Sequence, residues 1–272
     1  MKFRSITSAQ NDFIKNILHL ESAKERKTQN LFVAEGIREV KLAIESGYKI
    51  NQLVFCETTF STSELTTYLG SNFLDNTECI DLPLNLFNKI AYRKDVRNLI
   101  AIGEKKTHLL KDIVLLENPL VVICENVEKP GNIGAILRTI DAGDVDALIV
   151  CDAQTDIYNP NVIRGSLGTI FTKQIAICST VECIEWCKVN QLNIYCTSLE
   201  SANWYHQTDF TKPSALVMGS EAKGVGSDWG KSNTQFIKIP QNGKVDSMNV
   251  SNAAAIVIYE AQRQRGFKDF RL

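Results

Sequence analysis

Several signals that assign proteins to common classes are missing from this sequence. No apolar run reaches the length of a membrane span, and the first residues, MKFRSITSAQNDFIK, contain no apolar segment of a secretory signal. No C-x-x-C pair occurs, and Cys183 and Cys187, one helical turn apart, have no paired histidine nearby. We therefore expect a cytoplasmic protein in a reducing compartment, with no membrane contact, no disulfide and no metal.

Familiar catalytic and nucleotide-binding patterns are missing as well. The three histidines fall outside every polar loop discussed below, and no Ser-His-Asp or Cys-His arrangement can be assembled. The segment GSEAKGVG is not a phosphate-binding P-loop, because Lys223 precedes its glycine instead of following it. The segment GNIG lacks the glycine fingerprint of dinucleotide-binding folds, which argues against a nicotinamide-dependent oxidoreductase.

Charge of either sign is nearly balanced, with a net charge of −1 over 272 residues, but it is unevenly distributed. Residues 51–85 contain five acidic and no basic residues, whereas residues 1–50, residues 86–112 and the last thirteen residues are basic. A solvated helix face explains any one of these runs. Three basic stretches together suit a polyanionic partner that contacts part of the surface.

Short apolar runs alternate with helical segments after residue 119, which predicts a mostly parallel α/β sheet. The predicted strands are residues 121–127, 147–153, 173–178, 192–197, 214–219 and 235–240. The predicted helices are residues 132–143, 159–171, 181–191 and 253–259. Four cysteines end such apolar runs, as small buried hydrophobic residues do: Cys124, Cys151, Cys178 and Cys196.

The earlier part of the chain mixes elements in a smaller α/β module. We predict a basic helix around residues 8–27, a strand at 31–36, a helix at 37–46 and a strand at 52–55. The length of the chain and this change in organisation therefore favour two domains, residues 1–112 and residues 113–272.

Three chemically polar loops follow strands of the predicted parallel sheet. In such sheets, ligands bind at the carboxyl ends of the strands. Each loop alone is explained by helix caps and turns, but three loops at one edge indicate a ligand site. The polar residues that they offer are Asn132, Arg138, Glu221, Ser247 and Asn249. The residues alone indicate an α/β enzyme or binding protein that acts on an anionic partner.

The segments NIGAILRTIDAG, VMGSEAKGV and IPQNGKVDSMNVSNAAAIVIYE resemble, in this order, the three motifs of the SpoU/TrmH family. This family comprises RNA ribose 2′-O-methyltransferases of the SPOUT superfamily. The resemblance covers roughly residues 119–265, and residues 1–110 more loosely resemble the family's amino-terminal substrate-binding module. The segment YRKDVRNLIAI at 92–102 departs from the Pro-Gln-Gly-like turn expected at this place in many relatives.

The resemblance implies S-adenosylmethionine as cofactor, a deep trefoil knot in the second domain and a homodimer formed through that domain. It also implies that backbone groups of Gly219, Ile239 and Met248 hold the adenine. Arg138 would meet the target phosphate and ribose. The base is either Glu221, which ordinary chemistry suggests, or Arg138, to which the resemblance points. Asn132, Ser247 and Asn249 would position these groups through hydrogen bonds.

The substrate follows from the amino-terminal module, which resembles those of ribosomal RNA enzymes. We therefore expect methylation of 23S-type ribosomal RNA. Two alternatives stay open: a transfer RNA ribose 2′-O-methyltransferase, and a non-catalytic RNA-binding protein whose decayed site binds no S-adenosylmethionine.

Overall fold

The chain forms two compact units in the computed structural model, which describes residues 2–92, 99–244 and 247–267. The first unit comprises Met1–Lys106 and Ile157–Thr172, and the second comprises Thr107–Asp156 and Lys173–Leu272. Residues 157–172, which we assigned to the second domain from the sequence, therefore belong to the first unit. The functional division at residue 112 stays a prediction.

The first unit is built on a five-stranded sheet. Its strands are β1 (Lys2–Ser5), β2 (Leu31–Glu35), β3 (Ile50–Phe55), β4 (Glu78–Asp81) and β5 (Ile100–Glu104). Their order is β1-β4-β3-β5-β2, in which β5 runs antiparallel to both neighbours and the other pairs are parallel. Its helices are α1 (Asp12–His19), α2 (Ala23–Gln29), α3 (Ile37–Glu45), α4 (Thr62–Leu69), α5 (Ser71–Asp75) and α6 (Leu84–Ile90).

The predicted helix at 8–27 is divided into α1 and α2, so that prediction was wrong in its middle. The cause is Arg26, which is fully buried. Its Nη1 donates hydrogen bonds to the carbonyl oxygens of Leu20 at 2.9 Å and Glu21 at 2.7 Å. These carbonyls belong to the turn between the helices, and the buried guanidinium satisfies them where a continuous helix would have used its own amides.

The second unit is built on a six-stranded sheet. Its strands are β6 (Leu120–Glu125), β7 (Ala147–Cys151), β8 (Gln174–Cys178), β9 (Asn193–Thr197), β10 (Ser214–Met218) and β11 (Thr234–Ile237). Their order is β11-β9-β10-β6-β7-β8, and every neighbouring pair is parallel. The predicted parallel α/β sheet is confirmed, and its carboxyl ends lie along one edge. The trefoil knot stays a prediction.

The described residues form four further α-helices: α7 (Pro130–Ala142), α8 (Pro160–Gly165), α9 (Thr180–Val189) and α10 (Val250–Gln264). Helix α8 belongs to the first unit, together with the short 3-10 helix Thr169–Phe171. The predicted helix at 159–171 is interrupted because Leu167 and Gly168 both adopt left-handed conformations, with φ of 53° and 84°. No described helix has both the length and the apolar character that spanning a membrane requires.

Segment 157–172 completes the aromatic core of the first unit. The Tyr158 ring stacks on the Phe32 ring with centroids 5.5 Å apart, and the Phe171 ring lies 5.2 Å from that of Phe32. The hydroxyl groups of Tyr158 and Tyr48 are 3.2 Å apart. These rings are buried, so the core of the first unit depends on residues that follow it by fifty positions in the chain.

Candidate active site at the edge of the parallel sheet

A cavity of about 510 Å³ opens at the carboxyl ends of β9 and β10. Its wall contains the predicted cofactor-binding residues Gly219, Ile239 and Met248. Glu221 and Ser247, two of the predicted catalytic residues, also line it. The structure therefore gathers residues from the second and third polar loops around one space. The roles assigned to them stay predictions.

Gly219 directly follows β10 and allows two parts of its loop to touch. A Cβ atom at this position would lie 2.2 Å from the carbonyl carbon of Gly224 and 2.4 Å from the amide nitrogen of Val225. The loop is closed by two hydrogen bonds of 3.0 Å between the backbones of Ser220 and Gly224. Only glycine permits this approach, because the atoms in the way belong to the backbone.

A buried carboxylate that we did not select from the sequence holds the far end of this loop. Glu125 is the last residue of β6 and is only 3% exposed. One of its oxygens accepts a hydrogen bond from the Gly226 amide at 2.6 Å, and the other accepts one from the Thr180 hydroxyl at 2.9 Å. The same hydroxyl contacts a carboxylate oxygen of Asp152 at 2.6 Å. In the sequence, the signal for this role of Glu125 is its place at the end of the apolar run LVVICE.

Three predicted catalytic residues form a chain of side-chain hydrogen bonds. The side-chain Nδ2 of Asn249 donates to the side-chain Oδ1 of Asn132 at 3.0 Å. The side-chain Nδ2 of Asn132 in turn donates to a carboxylate oxygen of Glu221. Asn249 also caps helix α10, since its side-chain oxygen accepts from the Ser251 amide at 2.8 Å. The first, second and third polar loops are thus joined through these side chains. Asn132 is almost entirely buried, which fixes its orientation between its two partners.

Arg138 takes no part in these side-chain hydrogen bonds and lies on the exposed side of helix α7. Among the described residues it makes no hydrogen bond and no ion pair. The nearby Asp141 is instead 3.7 Å from the ammonium group of Lys173. A surface ion pair of Arg138 with Asp141 is therefore not formed, and the guanidinium group is available to an external anion.

Most of the segment YRKDVR at 92–97, which belongs to the basic stretch 86–112, lies outside the described residues, because these are interrupted between residues 92 and 99. Tyr92 is described and 72% exposed, and the guanidinium carbon of Arg164 lies 3.5 Å from the centre of its ring. Arg164 also donates a hydrogen bond to the Asn161 side chain. The sequence leaves open whether Arg164 contacts a phosphate or forms a salt bridge. In the structure its guanidinium group makes a cation–π contact with an exposed aromatic ring.

Comparison with known proteins extends this description. Residues 119–259 match the model of the SpoU rRNA methylase family, and residues 11–101 match that of an MRM3-like substrate binding domain. The 23S rRNA (uridine(2479)-2′-O)-methyltransferase of Streptomyces viridochromogenes is 28% identical over 270 residues, which cover 96% of this chain and 93% of that protein. The 23S rRNA (guanosine(2553)-2′-O)-methyltransferase RlmP of Bacillus subtilis is 25% identical over 94% of this chain and 98% of that protein.

A solved structure shows the same architecture. The AdoMet-bound rRNA methyltransferase from Sinorhizobium meliloti superposes with a TM-score of 0.84 and 28% sequence identity. The superposition covers 96% of this chain and 98% of that protein, so it includes both compact units.

Proposed function

Because the chain belongs to the SpoU rRNA methylase family, we propose that it transfers a methyl group from S-adenosylmethionine to a ribose 2′-hydroxyl group of RNA. The observation that carries this proposal is the hydrogen-bonded chain Asn249–Asn132–Glu221 at a cavity lined by Gly219, Ile239 and Met248. All five polar residues expected of the site are present, which argues against a decayed, non-catalytic relative.

The cavity fits S-adenosylmethionine in size and in the chemistry of its wall. Its volume lies within the range of about 300–1,000 Å³ typical of small-molecule sites. Gly219 contributes only backbone to the wall, and Glu221 adds a carboxylate to the lining, which favours a positively charged sulfonium group. When bound, S-adenosylmethionine supplies an electrophilic methyl group. The related Sinorhizobium meliloti protein holds AdoMet.

The protein must make a weak nucleophile reactive. A new bond forms between the ribose 2′-oxygen and the methyl carbon, the carbon–sulfur bond breaks, and the hydroxyl proton leaves. We propose that Arg138 binds the neighbouring phosphate through its planar fork and stabilises the charge that develops on the 2′-oxygen. Asn132 holds one oxygen of Glu221, and Ser247 on the cavity wall helps to position the ribose. Glu221 and Arg138 are the two candidates for the group that takes the proton.

We propose 23S ribosomal RNA as the substrate. The two 23S rRNA methyltransferases described above align with at least 94% of this chain, including its amino-terminal part. The match of residues 11–101 to a substrate-binding domain supports the same assignment. RNA is distinguished from DNA at the reacting atom itself, because the 2′-hydroxyl group is the methyl acceptor. We further propose that the enzyme acts in the cytoplasm.

We also propose a homodimer formed through helix α10. One face of this helix packs on α7 and is buried, as at Ala254, Val257 and Ile258. The other face leaves apolar groups accessible, and Tyr259 is 42% exposed. Burying such a face against a second copy would remove apolar surface from water. Light scattering of the purified protein should give the mass of a dimer.

The test of the catalytic assignment compares Arg138→Ala and Arg138→Lys with Lys188→Ala. Lys188 is an exposed cation of the same unit, paired with Glu185 at 3.4 Å, and serves as the control. Removing one preorganised charge-stabilising group costs roughly a hundred- to a thousand-fold in rate. We expect that loss for Arg138→Ala in single-turnover methyl transfer, with cofactor affinity nearly unchanged. Substantial activity of Arg138→Lys would indicate simple charge stabilisation, and an inactive lysine variant a role specific to the guanidinium.

Three results would each contradict one part of this proposal: the role of Arg138, the activity or the substrate. Wild-type turnover by Arg138→Ala would remove this residue from the site. A calorimetric titration without heat of S-adenosylmethionine binding would favour the decayed RNA-binding protein. Methylation of transfer RNA but not of 23S ribosomal RNA, mapped at single nucleotides, would replace the proposed substrate by the transfer RNA alternative.

A further inference from the structure

Three cysteine thiols converge on the side of the parallel sheet covered by α9. Cys151 ends β7, Cys178 ends β8, and the two are directly paired neighbours in the parallel ladder. Cys183 lies in the first half of α9. The sulfur atoms of these three residues all lie within 4.8 Å of one another. The spacing along the chain hides this cluster, because it arises only when β7 and β8 are adjacent.

This separation is close to what a thiolate metal site requires. Zinc–sulfur bonds of about 2.3 Å in tetrahedral geometry place two sulfur atoms about 3.8 Å apart. Side-chain rotation and small backbone shifts can supply the remaining contraction of roughly 1 Å. All eight cysteines of the chain are free thiols, so none of the three is committed to a disulfide.

The three cysteines differ in their access to solvent. Cys178 is partly exposed, whereas Cys151 and Cys183 are fully buried. An ion from solvent would therefore meet the cluster at Cys178.

We propose that Cys151, Cys178 and Cys183 bind one thiophilic metal ion, with zinc as the ion, through three thiolate ligands. Soft thiolates favour zinc and copper(I) over magnesium and calcium. Three protein ligands leave one position of a tetrahedral ion, which water reaches from the side of Cys178. This proposal departs from the expectation of no metal, which rests on the absence of a C-x-x-C pair and of a histidine paired with Cys183 and Cys187. The titration below decides between the two.

The site is separate from the cofactor cavity, whose wall contains none of these cysteines. It lies beside the residues that support the cavity, because Asp152 follows Cys151 and contacts Thr180, which in turn contacts Glu125. A metal ion that ties β7, β8 and α9 together would stabilise the second unit, since binding to the native state alone shifts the folding equilibrium. The inference does not depend on the methyltransferase activity.

The test uses the full-length protein, reduced and kept free of oxygen. Zinc is titrated in competition with a chromophoric chelator, and cobalt(II) is titrated separately as a spectroscopic probe. We expect one zinc ion per chain, a raised melting temperature, and the strong near-ultraviolet absorption of cobalt–thiolate bonds. Cys178→Ser should weaken zinc binding at least about tenfold. The matched control is Cys196→Ser, a buried thiol of the same core outside the cluster, which should bind zinc as the wild type does.

Two outcomes would overturn the proposal. One is a cobalt(II) spectrum of the wild type without thiolate absorption, which needs no variant and is independent of whether a serine variant folds. The other is equal zinc affinity of the wild type and of Cys178→Ser, after circular dichroism has shown that both are folded. The methyl-transfer assays above distinguish a failure here from a failure of the proposed function.

Discussion

Replacing Gly219 by alanine should separate cofactor binding from folding. The new Cβ would lie 2.2 Å from the Gly224 carbonyl carbon, where ordinary contacts begin at 3.4 Å. The backbone at 224–225 must therefore retreat by roughly 1 Å, which is more than a hydrogen bond of normal length tolerates. The two hydrogen bonds of 3.0 Å between Ser220 and Gly224 are then lost.

The size of the effect follows from those two hydrogen bonds. Each contributes about 1 kcal/mol net, so displacement of the loop costs about 2 kcal/mol. If the cost appears in binding, affinity for S-adenosylmethionine falls roughly thirtyfold. Isothermal titration calorimetry measures this loss, and the melting temperature of the ligand-free protein shows how much of the cost appears in folding.

The matched control is Gly131→Ala at the exposed start of α7. A Cβ atom there would meet nothing within 4 Å, so both affinity and melting temperature should stay close to those of the wild type. The reasoning fails if Gly219→Ala binds S-adenosylmethionine within threefold of the wild type at an unchanged melting temperature. In that case the close approach of the two loop segments has no role in holding the cofactor.

Two further predictions concern the supports of the site. Asn249→Ala removes both the cap of α10 and the hydrogen bond to Asn132, so it should cost about 1 kcal/mol of stability and also slow single-turnover methyl transfer. Asn11→Ala, which removes the cap of α1, should cost similar stability in thermal melts without slowing transfer, and equal transfer rates for the two variants would contradict the prediction. Glu125→Gln replaces one acceptor oxygen by a donor that faces either the Gly226 amide or the Thr180 hydroxyl, so calorimetry should show weaker cofactor binding, by roughly tenfold. Unchanged affinity would show that the loop does not need the carboxylate.

The parallel sheet could be predicted because its signal is local. Strands buried on both faces are short runs of β-branched residues, and each predicted run overlaps an observed strand. The largest difference is at β11, which ends at Ile237 although the apolar run continues to Ile239. Lys238 leaves the ladder because its backbone pairs with Asn203 and with Tyr205, the first residue of a short 3-10 helix. The sequence QFIKIP alone does not indicate that the backbone of Lys238 has these other partners.

Features that depend on burial of a charge were not predictable in the same way. Arg26 and Glu125 are both buried, and a sequence pattern treats such residues as solvated. Arg26 divides a helix that otherwise has a continuous pattern, and Glu125 supports a loop a hundred residues further along the chain. The polar loop residues were easier to select, because loops at strand ends of a parallel sheet are the usual place for a site.

The membership of Ile157–Thr172 in the first unit has a consequence for synthesis on the ribosome. A domain encoded by consecutive residues can fold as soon as it leaves the exit tunnel. Here Tyr158 and Phe171, which complete the aromatic core around Phe32, are translated only after residues 107–156 of the other unit. At about 5–20 residues per second, the nascent chain carries an unfinished first core for roughly 3–13 s. Its early apolar surface is therefore an expected binding site for chaperones during every round of translation.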